Sequence, residues 1–127
     1  IIMYKNLVNV AKEIIDIANQ REQNQRDDFF SLADMNFSDL DTSYSNKLEK
    51  ILMNLSFDEV IALQTIMYLG RDKDYKGNTA DEIFTDYLKY IKSLGVRTKE
   101  LEVRQMVGKM PLGEYLTEGY KILGINL

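Results

Sequence analysis

Between Leu69 and Thr79 the chain places Arg71, Asp72, Asp74, Lys76, Gly77 and Asn78 in one charged run. Two acids one residue apart, with a glycine at the sixth place, is how a calcium loop begins. Lys76 at the fifth place and Ile83 at the twelfth, where the loop needs a bidentate glutamate, break that template. Asp39 and Asp41 fail it too, at Tyr44 and Lys50. The 71–78 run therefore reads as an interhelical turn whose acids accept from backbone donors. A second concentration of charge runs from Lys89 to Lys109, where Lys89, Lys92, Arg97, Lys99, Arg104 and Lys109 stand against only Glu100 and Glu102. With a helix, a Gly95 turn and a second helix, that segment admits a helix-turn-helix, and Lys92, Arg97, Lys99, Arg104 and Lys109 become candidate nucleic-acid contacts. Cations near helix ends also complement the helix dipole, so nucleic acid is the alternative and not the first expectation.

Bond-making chemistry has few parts to draw on. The chain has no histidine and no cysteine, the side chains most used for proton transfer near neutral pH, thiolate attack and transition-metal ligation. The best remaining combinations are Arg71 with Asp72 and Asp74, and Tyr115 with Glu114 and Glu118. Their spacing supplies no second acid–base group, pocket or exclusion of water. No catalytic residue, cofactor or metal ligand is assigned, and an enzyme is not expected.

The elements that position these residues are helical. From Tyr4 to about Gln20, two adjacent apolar stripes (Met3, Leu7, Val10, Ile14, Ile17 and Tyr4, Val8, Ala11, Ile15, Ala18) repeat at helical spacing. This broad face suits a central bundle helix or, through Ile14 and Ile17, contact with another subunit. Periodicity is lost over 21–46, a polar run leading into Phe29, Phe30, Phe37 and neighbouring acids, which reads as an irregular or short-helix connection able to dock a partner. A helix follows over about 47–55, then a Ser56/Glu59 capping box opens an almost wholly apolar helix over 57–69, with Gly70 as its stop. Thr79 and Glu82 open the next helix, which Gly95 ends; Thr98 caps a shorter one, and Pro111 begins a last helix that Gly124 stops. Gly119 lies within the apolar stripe of that last helix, where a missing side chain lets a neighbour approach closely.

Three stretches resemble a small bacterial domain family of unknown function: Leu55-Ser56-Phe57-Asp58-Glu59, Leu69-Gly70-Arg71-Asp72 and Pro111-Leu112-Gly113-Glu114-Tyr115-Leu116-Thr117-Glu118-Gly119. The family joins a helix ending in Leu/Ile-Gly-Arg to a C-terminal helix of the form Pro-x-Leu-x-x-Tyr-Leu-x-Glu-Gly. Here Leu112 follows the proline directly, and nothing before Lys47 is covered. The resemblance implies a helical fold and supplies no catalytic residues, so Gly70, Arg71, Asp72 and Tyr115 form a motif of unknown role.

At 127 residues with 45% apolar content, the chain is expected to be one all-α domain over 1–127, a compact bundle of about five to six helices. Its net charge of −4 divides unevenly, −5 over residues 1–70 and +1 over 71–127, and offers no global attraction to nucleic acid or anionic lipid. No apolar run approaches the roughly 18 residues of a membrane span. The opening Ile1-Ile2-Met3-Tyr4-Lys5 lacks the features of a secretory signal, and Ile1 and Ile2 carry no functional weight. The expectation is a cytoplasmic protein–protein interaction or regulatory module without cofactor, self-associating as a homodimer or binding another protein through Ile14, Ile17, Phe29, Phe30 and Phe37.

Overall fold

Spacings of three and four residues bring Tyr4, Leu7, Ala11, Ile14 and Ala18 onto one side of a helical segment, and all five are buried. In the computed structural model, which describes residues 3–29 and 37–127 with side chains over 4–23 and 43–127, this segment forms α1 (Met3–Asn6) and α2 (Val8–Phe29), separated by a turn at Leu7. α2 runs through the polar stretch to Phe29, and α3 (Phe37–Met53) is already helical ten residues before Lys47. Of the stretch 21–46 expected to be an irregular or short-helix connection, residues 21–29 and 37–46 are helical. Side-chain pairing not visible in the apolar pattern, described below for Arg21, carries α2 onward.

α4 (Phe57–Asp72) begins at the capping box predicted for it: Glu59 N–H donates to Ser56 Oγ at 3.2 Å, and Ser56 N–H donates to Glu59 Oε1 at 2.9 Å. Every residue from Val60 to Gly70 is buried, as its continuous apolar character requires. Gly70 does not end the helix. α4 continues to Asp72 and stops at Lys73, whose φ of 54° is left-handed.

Gly70 is instead an interior residue over which another helix crosses. α7 (Leu112–Ile122) lies antiparallel to α4, with Tyr115 facing Gly70 and Gly119 facing Ile66. A Cβ on Gly70 would stand 1.8 Å from the Tyr115 carbonyl oxygen, and one on Gly119 would stand 2.0 Å from the Ile66 carbonyl oxygen. Each backbone therefore touches the other, an approach only glycine allows. On its other side α7 meets α2, where Gly113 abuts Asn19 and the Ile15 carbonyl. The close approach expected at Gly119 is present, and two further glycines share the device.

α5 (Ala80–Ser93) and α6 (Lys99–Val107) close the structure against α4, α6 also meeting α3. Thr79 caps α5 by accepting from Glu82 N–H, while Glu82 reaches back one residue further than a standard box to accept from Asn78 N–H at 2.9 Å. Gly95, at φ 97°, follows α5 in the left-handed conformation its position predicts, and Thr98 caps α6. Seven helices and no strand occur among the described residues, so the fold is all-α, with somewhat more elements than expected. No described helix is long and apolar enough to cross a membrane.

Two charged residues of α2 tie the far end of the chain in place. Arg21, 1% exposed, occupies the next position in the register of Tyr4 to Ala18. Its Nη1 donates to the Val107 carbonyl at 2.7 Å and its Nη2 to the Lys109 carbonyl at 3.1 Å, satisfying acceptors at the end of α6. Glu22, which pairs with Arg21 at 3.4 Å, accepts from Leu112 N–H at 2.9 Å, the first residue of α7.

Candidate functional site

The last turn of α4 projects Tyr68, Arg71 and Asp72 toward α5 and α6. Arg71 Nε donates to Asp72 Oδ1 at 2.8 Å, and Tyr87 of α5 donates its hydroxyl to Asp72 Oδ2 at 2.9 Å. The bond from Arg71, reinforced by Tyr87 and outweighing partial burial, holds the Asp72 carboxyl below its ordinary range. Burial and the bond to Asp72 push the Tyr87 hydroxyl well above the usual phenol value, so it remains a donor. The Arg71 guanidinium also lies over the Tyr68 ring, 4.5 Å from its centroid, and Lys109 Nζ lies 5.7 Å from the same ring.

α6 continues the network. Gln105 donates to the Tyr68 hydroxyl at 2.7 Å and accepts from Arg97 Nη2. Arg97 Nε donates to Glu102 Oε1 at 2.9 Å, while Gln64, a lone amide in the apolar α4, donates to Glu102 Oε2 at 2.9 Å. Burial of Glu102 favours its neutral form, but the bonds from Gln64 and Arg97 outweigh this and hold its carboxyl below the ordinary glutamate value. The sign of the pH dependence follows. A carboxyl with a lower value folded than unfolded contributes stability above the unfolded value, and loses it as pH falls through the folded one. Glu102→Gln is therefore expected to flatten the decline in unfolding free energy below about pH 4.5, the ordinary glutamate value. Urea denaturation over a pH series measures this, and an acid limb as steep as that of the parent would refute it.

These residues line a cleft of about 580 Å³ between α4, α5 and α6, with Gln64, Tyr68, Arg71, Asp72, Arg97, Glu102, Gln105 and Lys109 as its polar wall and Tyr90, Ile91, Leu94 and Val96 as its apolar one. That volume is of the size that takes a small molecule or a few side chains. Tyr90, Leu94 and Val96 are 52%, 65% and 42% exposed, so large apolar groups meet solvent here beside cations. A second cleft shares Arg71, Asp72 and Tyr90 with the first.

The structure redistributes the residues singled out in the sequence. Ile14 is 0% exposed within a single chain, and Ile17 packs half-buried against the core. Ile14 is thus a core residue and not part of an interface, because its face of α2 is consumed by neighbouring helices. Phe29, Phe30 and Phe37 lie outside the residues whose side chains are described. Among the candidate nucleic-acid contacts, Arg97 and Lys109 line the cleft, but Arg97 is bonded to Glu102 and Gln105. Lys99 donates to the Met53 carbonyl at 2.7 Å at the end of α3, while Lys92 and Arg104 are exposed. Gly70 and Tyr115 form the α4–α7 seam, and Tyr115 is absent from the cleft walls that contain Arg71 and Asp72. The motif of unknown role accordingly divides into a packing half and a surface half. Tyr68, Gln64 and Tyr90 are participants the sequence reading misses. Among the described residues no cluster of three or more acids suits a metal ion.

No protein-family model, curated protein or solved structure matches this chain.

Proposed function

We propose that the protein is a protein–protein interaction module, and that the cleft between α4, α5 and α6 receives an acidic segment of its partner. The observation that carries this reading is the meeting of Arg71, Arg97 and Lys109 with exposed Tyr90, Leu94 and Val96 in one cleft, on a chain of net charge −4. Arg71 and Arg97 use Nε and Nη2 for their internal bonds, which leaves Nη1 of each for an incoming carboxylate. Lys109 makes no ion pair among the described residues and rests on the Tyr68 ring. A partner's carboxylates would meet these donors while an aromatic or aliphatic neighbour covers Tyr90 and Leu94. Rim charges at high dielectric contribute about 0.2–1 kcal/mol each, and one buried aromatic anchor adds about 1.5–3 kcal/mol. The interaction is accordingly micromolar or weaker and sensitive to salt.

A fluorescein-labelled peptide alternating glutamate and phenylalanine provides the test by fluorescence anisotropy. Saturable binding that weakens with salt is expected, together with a loss of about tenfold or more in the Arg71→Gln/Lys109→Glu double variant. Binding that the double variant leaves unchanged would remove the cleft from consideration. A duplex DNA that binds more tightly than the peptide, with the same dependence on Lys109, would transfer the site to nucleic acid. That second reading has less support because Lys99 serves the Met53 carbonyl and neither Lys92 nor Arg104 lines the cleft.

A further inference from the structure

The second cleft, about 760 Å³, is bounded by Asp72, Asp74, Tyr75, Lys76, Asp86, Tyr87 and Tyr90, with Arg71 and Ile83 completing its wall. Its chemistry is the inverse of the first. Three carboxylates stand against two cations; Asp72 and Arg71 pair with each other, which leaves Asp74 and Asp86 against Lys76. Asp74 and Asp86 have no cationic partner among the described residues, and three tyrosines share the wall with them. Tyr87 and Tyr90 lie 5.6 Å apart, centroid to centroid, with their planes inclined at 56°, and Tyr87, only 7% exposed, backs the ring of Tyr90. Tyr87 is held in place by its bond to Asp72, whereas Tyr75 and Tyr90 are 45% and 52% exposed. Exposed aromatic rings beside carboxylates attract an alkylammonium group through the aromatic quadrupole and through Coulomb attraction together.

We propose that this cleft binds the ammonium group of a lysine side chain, presented by a peptide, beside Tyr75 and Tyr90 with Asp74 and Asp86 as counter-charges. The aliphatic stem of such a side chain lies along the rings while its head reaches the carboxylates, an arrangement suited to amphipathic cations. Lys76, on the same wall, is the internal competitor for those carboxylates. The site is independent of the acidic-segment reading of the first cleft, and its failure leaves that reading standing.

The probe is an acetylated, amidated Gly-Lys-Gly tripeptide, titrated into isotopically labelled protein and followed by amide chemical shifts. Saturable shifts confined to residues 72–76 and 83–90 are expected. Tyr90→Leu removes a ring face while leaving charge unchanged, and should weaken binding about threefold to fivefold. Asp86→Asn should weaken it as well, and Lys76→Ala should strengthen it. The same tripeptide acetylated on its lysine carries no charge and should not bind. Equal shifts from the acetylated tripeptide, or full affinity in Tyr90→Leu, would overturn the proposal. Tetramethylammonium binding where the lysine tripeptide does not would also overturn it, by assigning the cleft to a free quaternary ammonium ligand.

Discussion

Gly119→Ala is expected to unfold the protein or to lower its stability by about 3 kcal/mol or more, the upper end of what overpacking costs. The added methyl would meet the Ile66 carbonyl oxygen at 2.0 Å and the Ile66 Cγ2 at 2.7 Å. Neither can retreat cheaply, since Ile66 lies in the stretch of α4 that is buried from Val60 to Gly70. Gly70→Ala should behave alike, because its methyl would meet the Tyr115 carbonyl at 1.8 Å from the other side of the same seam. Two other glycines set the scale. A methyl at Gly113 meets first the Oδ1 of Asn19, the free end of an exposed side chain, so it should cost less. A methyl at Gly108 stands 3.4 Å from its nearest neighbour at a φ of −74°, and Gly108→Ala should be neutral or stabilising by up to about 1 kcal/mol. Thermal denaturation of the four variants would show the order, with Gly119→Ala displaced downward on the order of 10 °C. A Gly119→Ala protein that melts together with Gly108→Ala would contradict the contact between the two backbones.

Arg21→Met should destabilise the protein by about 3–5 kcal/mol, the usual consequence of removing one member of a buried ion pair. Methionine is long and apolar enough to suit the site, so the change isolates the lost donors from lost packing. Val107 and Lys109 would each lose the donor that satisfies a carbonyl at the end of α6, and Ser45 would lose its bond at 3.1 Å. Glu22 would remain close to the first turn of α7 without its guanidinium partner. Arg21→Lys retains charge but cannot reach two carbonyls and a carboxylate in the planar arrangement of the guanidinium, and should recover only part of the loss. Urea denaturation measures both. If Arg21→Met costs less than about 1 kcal/mol, water replaces those bonds and Arg21 is not what joins α2 to the ends of α6 and α7.

The regular part of this architecture is readable from periodicity and caps. Ser56, Thr79 and Thr98 mark helix starts because their hydroxyls answer a local need, and local needs are visible locally. Arg21 escapes such a reading although it continues the register of Tyr4, Leu7, Ala11, Ile14 and Ala18 by one step. A charged residue at a core position looks like the end of a stripe until its distant acceptors are known. Gly70 misleads for a related reason: a glycine after an apolar run signals a C-cap, but the same residue serves close helix contact, and only Gly119 on α7 distinguishes the two. Around the cleft, Arg71 and Asp72 stand out as a motif and Arg97 and Lys109 as part of a basic run. That they share one wall with Tyr68 depends on α6 packing against α4, which no spacing along the chain encodes. Gln64 offered a signal, since one amide within a wholly buried helix requires a partner; the partner, Glu102, lies 38 residues away.

The placement of α7 between α2 and α4 bears on how this polypeptide is made. Its neighbours leave the ribosome long before it does, and the faces of theirs that Leu112, Leu116 and Tyr120 of α7 cover stay open until about residue 122 has emerged. The core is therefore incomplete until α7 has been made; a nascent chain halted before α7 leaves one face of α2 and one of α4 uncovered, the kind of surface that chaperones recognise.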